Sequence, residues 1–206
     1  MLPYIDTHAH LSMLSRRGMN AHEIAARLFA EGFGGIIDVG TEPGDLSARL
    51  AQFGGFPSVR FSAGIWPSAE AVADRIAATA ALEAELDAAP AGKVVALGEC
   101  GIDRHWNREE YGSDLEGERE LLDLQLQAAL KRQLPVIIHS RDAAQETAEV
   151  LSRRPGLRGV IHCYSYGTAE ARMFLDLGFY FSFSGTLTYK NARELRDTVA
   201  LIPEDR

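Results

Sequence analysis

Short apolar or β-branched runs alternate with longer stretches patterned on a helical period, and the alternation repeats seven times along the chain. The runs fall at residues 4–8, 35–40, 59–65, 94–99, 136–139, 159–162 and 179–184, and the helical stretches near 20–31, 44–53, 69–88, 115–132, 142–153, 168–177 and 190–201. Asn20 before Ala21-His22-Glu23 reads as an N-cap with an acidic first turn, and Pro90 with Gly92 stops the long Ala/Glu helix. This is the pattern of βα units on a parallel sheet. Several runs are apolar throughout, as strands covered on both faces are, and polar residues gather where the runs end. A TIM-type (β/α) barrel explains that placement, because its chemistry collects at the carboxyl ends of the strands. The competing doubly wound open sheet lacks its nucleotide signature, since no Gly-x-Gly-x-x-Gly follows any run.

Composition narrows the classes. With 206 residues and 46% hydrophobic content the chain suits one substantial core, so a single domain over 1–206 is expected. The apolar runs are far too short to span a bilayer, and Met1-Leu2-Pro3 leads into a strand without a basic-then-apolar leader, which predicts a cytoplasmic protein with no membrane partner. No obligate protein partner is expected. Two cysteines, Cys100 and Cys163, cannot form a disulfide framework. A net charge of −8 argues against a binder that grips nucleic acid through a broad basic field, yet leaves room for an enzyme using metal ions and local arginines.

The run ends carry the chemistry. His8 and His10 lie two apart, so on a strand their imidazoles share a face, and Asp6 on that face could orient one of them through its other ring nitrogen. Run four ends at Glu99, run five at His139 and run six at His162. A barrel brings these five to one rim. Four histidines and a glutamate are too many for one tetrahedral ion with an open position, so two divalent ions are expected, with Glu99 as the bridge between a His8/His10 side and a His139/His162 side. Such a pair makes water a nucleophile at neutral pH, which implies hydrolysis. The nitrogen-rich set favours zinc or manganese, with magnesium possible at the weaker position.

Other residues at the rim suit an anion. Arg141, Arg104 and Lys190 could contact phosphate, and Trp106, Tyr164 and Trp66 could stack on a base or sugar. Cys100 and Cys163 directly follow two of the expected ligands, and strand alternation predicts both as buried, inert thiols facing the helices. His22 reads as a surface or packing residue, and His105 receives no role.

Together these residues resemble the TatD family of metal-dependent hydrolases, within the amidohydrolase superfamily. The matching segments are Ile5-Asp6-Thr7-His8-Ala9-His10, Gly98-Glu99-Cys100-Gly101-Ile102-Asp103, Ile138-His139-Ser140-Arg141-Asp142-Ala143 and Ile161-His162-Cys163-Tyr164-Ser165, with a looser match at residues 183–191. The resemblance implies a TIM barrel, a divalent-metal site on the five residues above, and deoxyribonuclease-type cleavage of single-stranded DNA or another phosphodiester. Two departures stand out. Trp66-Pro67 replaces the family's His-Pro, and the chain reaches Ile202-Pro203-Glu204-Asp205-Arg206 about where the eighth strand, with its proton-accepting aspartate, should begin. The expectation is a seven-unit barrel whose protein continues for roughly one strand and one helix more; should it end at Arg206, binding at the His8/His10 ion would be weak and activity small. Two other readings stay open: the same centre acting on amides, lactones or small esters, and a non-catalytic binding scaffold.

Overall fold

A computed structural model describes residues 3–108 and 113–206, so the expected absence of a leader at Met1-Leu2 lies outside the described residues. Each strand pairs in parallel with the next one in sequence: β1 (Ile5–Ala9), β2 (Gly35–Asp38), β3 (Val59–Ala63), β4 (Val94–Asp103), β5 (Val136–Arg141), β6 (Gly159–Ile161) and β7 (Tyr180–Phe181). A doubly wound sheet reverses its strand order part-way, and this sheet never does. The result is a curled half-barrel with β1 and β7 at its edges.

The helices fill the connections: α1 (Leu11–Arg16), α2 (Ala21–Ala30), α3 (Leu46–Phe53), α4 (Ala69–Ala73), α5 (Arg75–Ala88), α6 (Leu115–Arg132), α7 (Ala144–Ser152), α8 (Thr168–Asp176) and α9 (Arg193–Val199). Local chemistry sets their starts. Asn20 accepts from Glu23 N at the head of α2, Ser68 from Ala71 N at α4, and Asp114 from Gly117 N at α6. The stretch predicted as one helix over 69–88 is two, because the backbone leaves the helical region at Asp74 (φ −111°, ψ 31°). Among the described residues no helix is long and apolar enough to cross a membrane.

Alternation along the strands sorts the apolar side chains into two sets. Ile36, Phe61, Leu97, Ile138 and Ile161 belong to the large core that includes Leu121, Leu122 and Leu126 of α6. Ile37, Val39, Ala96, Ile137 and Val160 form a smaller cluster on the concave face. Each fully buried large side chain contributes about 1.5–3 kcal/mol.

Strand lengths depart from the sequence pattern in ways that matter for the site. β4 was expected to stop at 99 and runs to Asp103, while β5 runs two residues past His139, because the two central strands keep pairing through Gly101 with His139 and Asp103 with Arg141. β7 pairs only over Tyr180–Phe181, not the expected 179–184, since it lies at the sheet edge. A bulge between Leu97 and Cys100 re-aims the end of β4. Gly98 sits there at φ +142°, a conformation L side chains rarely adopt, and a Cβ would press on Ile137.

Candidate metal centre

The bulge turns Glu99 to the concave side while Cys100 stays in the helix-facing core. Glu99 is only 5% exposed, and four imidazoles surround its carboxylate. Oε2 lies 3.2 Å from His8 Nε2 and 3.5 Å from His10 Nε2, which are 3.2 Å from each other. Oε1 lies 3.0 Å from His139 Nδ1 and 3.1 Å from His162 Nε2, which are 3.3 Å apart. The residues read from four run ends therefore meet around one carboxylate. The rings of His8 and His162 are stacked with centroids 4.1 Å apart, and His8, Glu99 and His162 also place one donor atom each within 4.8 Å of one another.

These distances suit a cation. Donors about 2.0–2.1 Å from a tetrahedral zinc are separated from each other by about 3.4 Å. Both three-atom sets have edges close to that value. Nitrogen against nitrogen at such range is repulsive unless a proton or a cation lies between the lone pairs. The donor set of imidazoles and one carboxylate thus fits a divalent transition metal.

The electrostatics without metal follow the same logic. Burial alone would raise the Glu99 carboxyl, but hydrogen bonds from His10, His139, His162 and His8 hold it well below the usual range. Burial would lower His139, yet Asp103 and Glu99 together push it up to about 9. His10 is likewise raised, Glu99 and the Val39 carbonyl overcoming burial. His162 is lowered, since burial and the neighbouring His8 and His139 outweigh Glu99. Protons here occupy places that suit positive charge.

Several expected roles are corrected. Asp6 does not orient an imidazole: the β1–β2 register shifts between Asp6 and Ala9, and its exposed carboxylate accepts from the His8 backbone N–H at 2.9 Å. The partner of His10 Nδ1 is instead the Val39 carbonyl at 3.0 Å. Tyr164 is 1% exposed and donates to the Gly167 carbonyl at 2.6 Å among Phe174, Phe181 and Phe183, so it is core and not a stacking surface. Arg104 turns inward to Ser113 Oγ (2.9 Å) and the buried Glu118 (3.4 Å). Cys163 is exposed, not buried, because β6 stops at Ile161 and the backbone turns left-handed at φ +48°. Cys100 is buried as expected.

Other side chains remain at the rim. Arg141 lies 5.7 Å over the ring of Trp106, which is 62% exposed, and Lys190 is exposed just after a 3₁₀ turn at Gly185–Thr188. Trp66 stands edge-on to His139 and, with His10, Thr41, Glu42, Glu70 and Glu99, lines a cavity of about 470 Å³. His22 packs on Phe56, and His105 pairs with Asp142 at 3.3 Å.

One residue beside the site escaped sequence reasoning. Asp103, 1% exposed, lies 2.8 Å from His139 Nε2. Extending the alternation past Glu99 to Gly101 and Asp103 would have put it on the same face.

The family model described as TatD related DNase matches residues 5–206. The chain belongs to the TatD family. It is similar to the metal-dependent hydrolase YabD of Bacillus subtilis, 31% identical over 98% of this chain and 76% of that protein. It is also similar to the metal-dependent hydrolase TatD of Mycobacterium tuberculosis, 32% identical over 98% of this chain and 76% of that protein. The crystal structure of the TatD homologue YjjV from Escherichia coli superposes with a TM-score of 0.80 at 31% identity, over 97% of this chain and 75% of that one. A Saccharomyces cerevisiae amidohydrolase at 15% identity and TM-score 0.79 shares the fold. As a TatD-family chain, this protein is a metal-dependent hydrolase with a candidate His/Glu metal group at its strand ends.

Proposed function

We propose that this TatD-family chain hydrolyses phosphodiester bonds in single-stranded DNA, using two divalent cations held by His8, His10, Glu99, His139 and His162. The observation that carries this reading is the pair of three-atom donor sets sharing Glu99, one on each carboxylate oxygen. A carboxylate can serve both cations at once, and an imidazole nitrogen cannot. Cations about 3.5–4 Å apart lower the pKa of water and polarise a phosphoryl oxygen.

The remaining roles belong to the chain. Glu99 keeps the two donor sets in register, and burial keeps competing water away from it. Arg141 offers a phosphate a bidentate contact, Trp106 beneath it offers a base a stacking face, and Lys190 adds a point charge. Imidazole-rich donors favour zinc or manganese, with magnesium accepted at the weaker position.

The cavity beside Glu99 supports a second reading. Glu42 and Glu70 line it and repel a polyanion, which suits an uncharged amide, lactone or ester at the same centre. One panel separates the two: protein stripped with chelator and reloaded with manganese or magnesium is offered labelled single-stranded DNA and neutral carbonyl substrates. Release of mononucleotides, abolished in Glu99→Ala and His139→Ala, supports the nuclease. Turnover of DNA by both variants at the wild-type rate rejects the site.

A further inference from the structure

A neutral imidazole has one lone pair, and the hydrogen bond at its other nitrogen decides which atom carries it. His10 and His139 solve this in opposite senses. The Val39 carbonyl can only accept, so it fixes the proton of His10 on Nδ1 and leaves Nε2 toward Glu99. At His139 the ring is reversed: Nδ1 faces Glu99 and His162, and Nε2 faces Asp103 Oδ2 at 2.8 Å.

Asp103 is held for this contact. Its Oδ1 accepts the backbone N–H groups of His105 (2.9 Å) and Trp106 (2.8 Å), which leaves Oδ2 to the imidazole. The β4–β5 ladder sets the approach, pairing Gly101 with His139 and Asp103 with Arg141. Gly101 permits it, because a Cβ there would strike the His139 carbonyl. The buried Nδ1 of His8, by contrast, has no hydrogen-bond partner.

We propose that Asp103 is a positioning residue that keeps the His139 proton on Nε2 and so presents the Nδ1 lone pair to the metal. The proposal rests on the reading of His139 as a ligand. Asparagine in its place can keep both backbone hydrogen bonds through its oxygen, and its amide N–H groups then face Nε2. That arrangement favours the opposite tautomer, with the proton on Nδ1 where the cation would sit.

Two readouts test it. Long-range proton–nitrogen correlation spectra of chelator-treated protein, taken at alkaline pH above the imidazole titrations, report the His139 tautomer directly. In a Glu99→Ala background, which removes the carboxylate that competes for the proton at Nδ1, His139 should show Nε2–H, and with Asp103→Asn added it should show Nδ1–H, a change that general loosening of the fold would not produce. Titration of wild type and of Asp103→Asn, both with Glu99 intact, with manganese should show about 10–100-fold weaker binding in the variant, the usual cost of losing such a partner. An unchanged tautomer overturns the proposal, as does unchanged affinity in a variant whose tautomer has switched. Should His139→Ala bind manganese as wild type does while Asp103→Asn still switches the tautomer, the ligand reading fails and the hydrogen-bond assignment survives. Should Asp103→Asn not fold, Asp103→Glu, which keeps an acceptor, is read in its place: loss of Nε2–H there overturns the proposal.

Discussion

Removing the charge of Glu99 should change how the metal-free protein responds to pH. His139 is raised from an ordinary 6.5 to about 9 by Asp103 and Glu99, and holding that proton is worth about 3 kcal/mol of folding free energy. The folded state binds the proton more tightly than the unfolded chain, so the contribution is complete below 6.5 and is lost as pH rises through about 9. His10, raised as well, acts in the same direction. His162 is lowered, so its contribution is present above 6.5 and is lost as pH falls through its depressed value. Stability from this cluster therefore peaks near the ordinary imidazole value. In Glu99→Gln burial still lowers His139 but only Asp103 pulls it up, and most of the decline toward alkaline pH should vanish. Urea denaturation of chelator-treated protein at steps across this range measures it, with the wild-type minus variant difference cancelling groups elsewhere. A flat wild-type profile, or a variant with the wild-type slope, refutes the reasoning.

Other outcomes follow from the same contacts. A cation binding at His139 must displace its proton, so manganese affinity should rise by up to about tenfold per pH unit between 6.5 and 9, measured by competition with a chromophoric chelator. Gly101→Ala drives a Cβ into the His139 backbone carbonyl and should cost about 3 kcal/mol, seen as a lowered Tm together with weaker metal binding. Tyr164→Phe loses only the bond to Gly167 and should cost about 1 kcal/mol with turnover per folded molecule unchanged; reduced turnover would restore a substrate role to that phenol. Arg141→Ala should raise KM for single-stranded DNA, flatten its salt dependence and leave kcat near wild type, and a fall in kcat alone would place Arg141 elsewhere in the reaction.

The βα alternation and the clustering of the candidate donors were legible because they rest on short-range rules. An apolar run with a polar terminus marks a strand end, and barrel topology makes strand ends neighbours, so His8, Glu99, His139 and His162 could be joined without coordinates. What stayed hidden depends on where those rules stop. The bulge at Gly98 let β4 run on, so Asp103 looked like a loop residue and its place beside His139 was missed. Cys163 lies two residues past the last paired position of β6, where alternation no longer sets the direction of a side chain. Arg104 and Tyr164 have the chemistry of substrate contacts, and only their inward partners, Glu118 and Gly167, say otherwise.

Charge bears on the proposed nuclease reading. The chain carries −8 overall, and Glu42 and Glu70 line the cavity that opens on Glu99, so the protein surface alone gives a polyanion little reason to stay. Divalent cations at the donor sets would reverse the sign locally, since bound ions are the largest charges in such a site. On the proposed reading, Arg141 over the Trp106 ring is the candidate contact for a phosphate, and Trp106 the candidate surface for a base. On that reading, affinity for an anion is conditional on bound cations, while Glu99 and Asp103 favour the protonated forms of His10 and His139 in the metal-free protein.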